Sequence, residues 1–143
     1  MPSAHAALAM GAGFVYTPNF DMLVSTTSDT NVTWANDLTL HGWSLCIKNG
    51  GNVPATTYRC DNGGSSTGYF YSYGVSGDTD RALGSVGTSS ATGYGGTVPS
   101  GTVAGWFAVA LLNANGTDLT GFTANFDGEQ WRDGGTTLAP SNR

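Results

Sequence analysis

Residues 68–84 read GYFYSYGVSGDTDRALG, and the fold class follows from this stretch. Tyr69, Tyr71 and Tyr73 alternate with Phe70 and Ser72, and a side-chain period of two marks a strand. A glycine-rich turn follows, and Asp80 to Val86 (DRALGSV) resumes as the next strand. An echo lies at Asp127 to Arg132 (DGEQWR), where a Glu, a Trp and an Arg come together after an apolar run.

The same pattern extends in both directions. Upstream, Gly11–Thr17, Val32–Trp34, Gly42–Lys48 and Thr56–Cys60 read as short strands. In the third of these Trp43, Leu45 and Ile47 share one face. Downstream, Ala104–Leu112 (AGWFAVALL) is the most apolar run and the expected central strand. Asn115-Gly116 then turns the chain into Leu119–Phe126 (LTGFTANF), with Phe122, Ala124 and Phe126 on one side. About ten short strands and no helix predict an all-β chain, an antiparallel β-sandwich of the jelly-roll, lectin-like kind.

Composition agrees. Only 10% of the 143 residues are charged, against roughly 25% in an average domain. The 22 glycines suit tight turns, and 39% hydrophobic content with four Trp suffices for one modest core rather than disorder. Five basic side chains spread along a chain of net charge −5 exclude nucleic-acid binding by phosphate neutralisation. No stretch approaches the ~20 apolar residues of a membrane span. Residues 11–135 are expected to form the domain. Residues 1–10 read as a signal-peptide remnant (Ala4-x-Ala6 as the cleavage box) or a flexible tail, with Met1 an artificial or misassigned start. Residues 136–143 read as a polar tail or the start of a linker. Cys46 and Cys60 flank a Gly-Asn-Pro loop, so a disulfide across neighbouring strands is expected rather than a metal pair. It would place the protein in an oxidising compartment, secreted or at a cell surface.

NFDML at 19–23, WANDLTLHGW at 34–43, GYFYSYGVSGDTDRALGS at 68–85 and GEQWR at 128–132 occur in a recognisable order. Over residues 12–135 the chain resembles the N-terminal β-sandwich domain of certain secreted bacterial proteins. These include PEP-CTERM-type surface proteins and extracellular nuclease-like proteins. The resemblance implies an exported lectin-like jelly roll, usually beside other domains. Such domains continue past the GEQWR-like strand to an acidic segment of the GLAIDDF kind. This chain has no such segment, so no site on it can be transferred. Either the sandwich is shorter or its last strands are missing, and a missing strand would leave a sheet edge for another chain or for the Ala-rich N-terminus.

Three kinds of site are open on the residues alone. Tyr69, Tyr71 and Tyr73 offer ring faces for sugar C–H surfaces, or else pack between sheets. Trp34, Tyr58, Tyr94 and Trp106 are further aromatic candidates. Arg81, Glu129 and Arg132, with Asp80, form either a polar ligand site or a network that satisfies buried charge. Glu129 and Asp80 are the candidate catalytic carboxylates of a glycan-active hydrolase, a reaction that needs two acids about 5–10 Å apart. Asp61, Asp78 and Asp80 lie in glycine-flanked turns and are the candidate ligands of a structural calcium ion. No other cofactor is expected. His41 reads as a turn residue before Trp43.

The expected function is a non-catalytic, exported module for carbohydrate binding or surface adhesion, with a polysaccharide or cell-surface glycan as partner. The alternatives are a structural subunit of an extracellular assembly, self-associating by strand exchange at an open edge, and a small secreted hydrolase using Glu129.

Overall fold

A computed structural model describes residues 7–47, 53–87 and 105–131. The turn at Asn49–Asn52, the loop at Thr88–Gly101 with Tyr94, Arg132, the tail from Asp133 and the expected cleavage box fall outside these residues. The described chain is all-β, with nine strands: β1 Leu8–Met10, β2 Ser28–Thr33, β3 Trp43–Ile47, β4 Val53–Pro54, β5 Thr57–Asp61, β6 Tyr69–Tyr73, β7 Ala82–Val86, β8 Gly105–Val109 and β9 Leu111–Asn113. They form a four-stranded sheet β2-β5-β6-β7, a three-stranded sheet β4-β3-β8 and a two-stranded pair β1-β9. Most pairs are antiparallel; β1–β9 and β5–β6 are parallel.

The core lies where the two larger sheets meet. Tyr58, Phe70 and Leu83 from the first cluster with Leu45 from the second, together with Leu23, Trp34, Leu40 and Ala55. Trp43 and Ile47 pack against this cluster beside Leu45, so the expected apolar face of β3 points inward. Phe70 and Leu45 are 1% and 0% exposed.

Alternation along β3 decides the fate of the cysteines. Leu45 points inward, so Cys46 points to the opposite side of its sheet. Cys60 lies in the other sheet and receives a hydrogen bond from Arg81 Nη2 at 3.0 Å. The expected hairpin does not form, because β3 pairs only briefly with β4 (Cys46↔Pro54, Ile47↔Val53). The chain then leaves at buried Ala55, whose N–H bonds Leu45 C=O, and Trp34 N–H takes Thr56 C=O on the far side. The disulfide is therefore corrected: Cys46 and Cys60 are separate buried thiols. Burial pushes both thiols above their usual 9.0; at Cys60 the Arg81 guanidinium opposes the rise. A raised thiol pKa favours the protonated native state, so its stabilising effect is complete below 9.0 and declines as pH climbs above it. Thiol reagents are expected to leave the native protein unlabelled and to modify two cysteines per chain in denaturant. An intact mass two hydrogens short of the reduced chain would contradict this.

Three other segments depart from the pattern. Gly11–Thr17 is no strand: Phe14 N–H bonds back to Gly11 C=O in a turn, and the stretch is largely exposed. Residues 8–10, expected outside the core, form β1 and pair with β9 as Leu8↔Leu111, Ala9↔Leu112 and Met10↔Asn113. The run 104–112 is broken at Ala110, and β8 ends its sheet instead of lying at its centre. Leu119–Phe126 belongs to no strand.

Candidate functional site

The four-stranded sheet turns its second face to a short crossover. Strands β5 and β6 run parallel, with Arg59↔Tyr71, Cys60↔Ser72 and Asp61↔Tyr73 in register. Only residues 62–68 connect them, so this segment must travel back along the sheet before β6 begins. It lies against the tyrosines: Tyr71 Oη donates to Thr67 C=O at 2.8 Å and lies 3.0 Å from Ser65 Oγ. Tyr71 and Tyr73 are 1% and 5% exposed. The three tyrosine rings contact one another in sequence, with centroids 6.4 and 5.3 Å apart. Trp131 stacks on Tyr73 at 6.2 Å and an interplanar angle of 6°. Tyr73 also lies across β7, where a β-carbon on Gly84 would run into its ring. Half-buried Tyr69 carries the Arg59 guanidinium over its face at 4.0 Å. The tyrosines share one face as expected, and that face is covered.

Arg81 is 4% exposed and every guanidinium nitrogen donates: Nε to Ser72 Oγ (2.9 Å), Nη1 to Val75 C=O (3.0 Å), Nη2 to Ser72 C=O (2.6 Å) and to Cys60 Sγ. It braces β5 to β6 on the core side, with four of its five N–H groups committed to the fold rather than to a ligand. Asp78 and Asp80 are exposed, and Asp78 Oδ1 accepts Asp80 N–H at 3.2 Å. Glu129 is exposed and accepts Trp131 Nε1–H at 2.7 Å. Trp34 and Tyr58 are buried edge-to-face in the core, and Trp106 is half-buried. His41 sits in an exposed turn, 3.1 Å from Asp37 Oδ1. Among the described residues no three His, Cys, Asp or Glu side chains come together as a metal group, so Asp61, Asp78 and Asp80 do not assemble into one.

Asp61 stands apart from the other acids. It is 7% exposed, at the end of β5. Its Oδ1 accepts Gly63 N–H at 2.6 Å and Ser65 N–H at 3.1 Å, fixing the start of the crossover as an Asx turn. Ser65 Oγ in turn accepts Thr67 N–H at 3.2 Å. Among the described residues Asp61 Oδ2 makes no hydrogen bond. Asp61 lines an open cleft of about 520 Å³ with Thr27, Ser28, Gly64, Ser65, Ser66 and Thr67. Thr27 Oγ1 is itself buried without a hydrogen bond of good geometry. The register that pairs Ser28 with Cys60 brings Thr27 and Asp61 to the same end of the β2–β5 ladder. In the sequence, residues 25–31 and 61–64 read as two separate polar turns. The usable signal was a strand-ending Asp followed by a run of hydroxyl residues, but their partner segment is 34 residues upstream of Asp61 and only the ladder reveals it.

A comparison with protein-family models, curated proteins and solved structures finds no match for the chain.

Proposed function

We propose that the protein is an exported, non-catalytic binding module that holds a glycan in the cleft between residues 27–28 and 61–67. The observation that carries this is the Asp61 carboxylate. One oxygen is locked by two backbone N–H groups, and the other, beside five hydroxyl side chains, has no hydrogen bond among the described residues. A fixed carboxylate among hydroxyls suits a vicinal diol, which donates to the carboxylate and exchanges hydrogen bonds with its neighbours. The cleft replaces the tyrosine face as the binding surface; the tyrosines support it from beneath through Tyr71 and Ser65. A β-sandwich with jelly-roll connections is the finer fold consistent with two sheets enclosing one core. Export rests on the low charge and the resemblance to secreted bacterial domains, not on a disulfide.

Asp61→Asn tests the site. The amide oxygen can still accept from Gly63 and Ser65, while the second position becomes a donor. Wild-type protein is expected to be retained on an insoluble or soluble polysaccharide without releasing sugar, in calcium or in chelator. Asp61→Asn should weaken retention about tenfold or more, as befits a charge-assisted hydrogen bond, and Glu129→Gln should not weaken it. Released sugar, lost in Glu129→Gln, would restore the hydrolase reading. Undiminished binding by Asp61→Asn would remove the cleft from consideration.

A further inference from the structure

We infer that the cleft takes an amino sugar, with the ligand's ammonium group on Asp61 Oδ2 and the hydroxyl of the neighbouring ring carbon among the serines and threonines. The inference rests on the reading of the cleft as a glycan site and narrows it from any vicinal diol to a vicinal amino alcohol. Charge carries the choice. Asp61 is 7% exposed, so its carboxylate is largely withdrawn from water. Two backbone N–H groups hold Oδ1 at 2.6 and 3.1 Å, but these are neutral dipoles. A desolvated carboxylate gains most from an opposite charge.

Among the described residues no basic side chain supplies that charge. The cleft walls beside Asp61 are Thr27, Ser28, Gly64 and the hydroxyl run 65–67. Arg59, two residues earlier on β5, shares the face of Asp61 but is turned the other way. Its guanidinium lies over Tyr69 at the start of β6, and its Nε donates to Asn31 Oδ1. Asp61 is in register with Tyr73, at the end of β6. Arg81 reaches Cys60 and Ser72 from the core side. The adjoining turn adds negative charge instead. Gly77 N–H donates to Ser25 C=O at 2.9 Å and Thr27 N–H to Ser76 Oγ at 3.2 Å, so the turn after β6 lies alongside the Thr27 wall. That turn carries Asp78 and Asp80, both exposed. On a chain of net charge −5 these acids make the field at the cleft negative, which draws in a cation and opposes a uronate or a sulfated sugar.

The donors of an ammonium match the acceptors present. It carries three N–H groups: one meets Oδ2, and the hydroxyl oxygens of the walls accept the others. A hydrogen bond between ammonium and carboxylate is stronger than one from a neutral sugar hydroxyl. Acetylation of the same nitrogen removes the charge and keeps the ring and its hydroxyls, so a matched pair of sugars isolates what the charge contributes.

Titration calorimetry with the β-1,4-linked tetramers of glucosamine and of N-acetylglucosamine, at near-neutral pH and physiological salt, tests this. The free-amine tetramer is expected to bind about tenfold more tightly or better. The preference should shrink with added salt and vanish at a pH where the sugar amine is neutral. Asp61→Asn should abolish it. Asp118→Asn, which changes net charge equally at an exposed residue outside the cleft, should preserve it. Equal binding of the two tetramers overturns the inference; if that shared binding is still lost in Asp61→Asn, the glycan reading of the cleft stands without the amine. A preference that persists in Asp61→Asn also overturns it, by assigning the attraction to overall charge. Binding of neither tetramer overturns it too, and the polysaccharide retention experiment then decides the glycan reading separately.

Discussion

Arg81→Ala is expected to lower the unfolding free energy by about 3–5 kcal/mol, measured by urea titration. The guanidinium is buried and engaged through all three nitrogens, donating to a hydroxyl, two carbonyls and a thiol on β5, β6 and the turn after β6. Alanine strands Ser72 C=O, Ser72 Oγ and Val75 C=O in the space it vacates. No carboxylate forms an ion pair with Arg81 among the described residues, so the charge is held by neutral dipoles. That makes the replacement series informative. Arg81→Met fills the volume and removes the desolvated charge, so it should recover part of the loss. Arg81→Lys keeps the charge but cannot reach four acceptors with one ammonium, and should fall near alanine. The backbone is shaped to the guanidinium too: a β-carbon on Gly74 would overlap it and the Asp80 carbonyl. If Arg81→Ala proved as stable as wild type, the brace would have no energetic role.

Tyr71→Ala is expected to cost as much as Phe70→Ala, about 3–5 kcal/mol each, or roughly 10 °C or more in melting temperature. The two residues are adjacent and point to opposite faces of β6, and both are 1% exposed. Phe70 loses its packing in the core between the sheets. Tyr71 loses contacts with Tyr69 and Tyr73 and leaves Thr67 C=O and Ser65 Oγ without their partner. Tyr71→Phe isolates the polar share and should cost about 1–2 kcal/mol. A sheet with one solvated face would respond asymmetrically, with only Phe70→Ala destabilising. Equal losses would show that the crossover 62–68 closes the second face.

Local pattern revealed the strands that obey it. The period of two located β3, β5, β6 and β7 within a residue or two and put Leu45 on the inward face of β3; on β6 it separated Phe70 from the tyrosines and left open which side faces the core. The pairing of strands is a long-range property, and there the reading failed. Cys46 and Cys60 looked like hairpin neighbours because a turn separates them, but β4 is two residues long and ends in a proline that has no N–H for the ladder. Tyr69, Tyr71 and Tyr73 were correctly placed on one face. What covers that face depends on a parallel connection that no turn signal announces. Leu119–Phe126 shows the opposite failure. Its alternation is sound, but alternation states which side chains share a face and never names the partner strand. The Asp61 cleft was half legible: the Asx-turn sequence was visible, and Thr27 was not.

The pair β1–β9 ties residues 8–10 to residues 111–113 through three residue pairs, with Leu8 as its single buried side chain. Leu8 lies against Gly42, at the spot where a β-carbon would collide with it. So slight an anchorage opens at far lower free energy than the sheets it borders, long before global unfolding. Each opening bares the edge of β9, which carries the already exposed Leu111 and Leu112, to whatever strand is nearby. Strand β1 thus acts as a guard against edge-to-edge aggregation, and removing it would expose the protein to clumping without unfolding it.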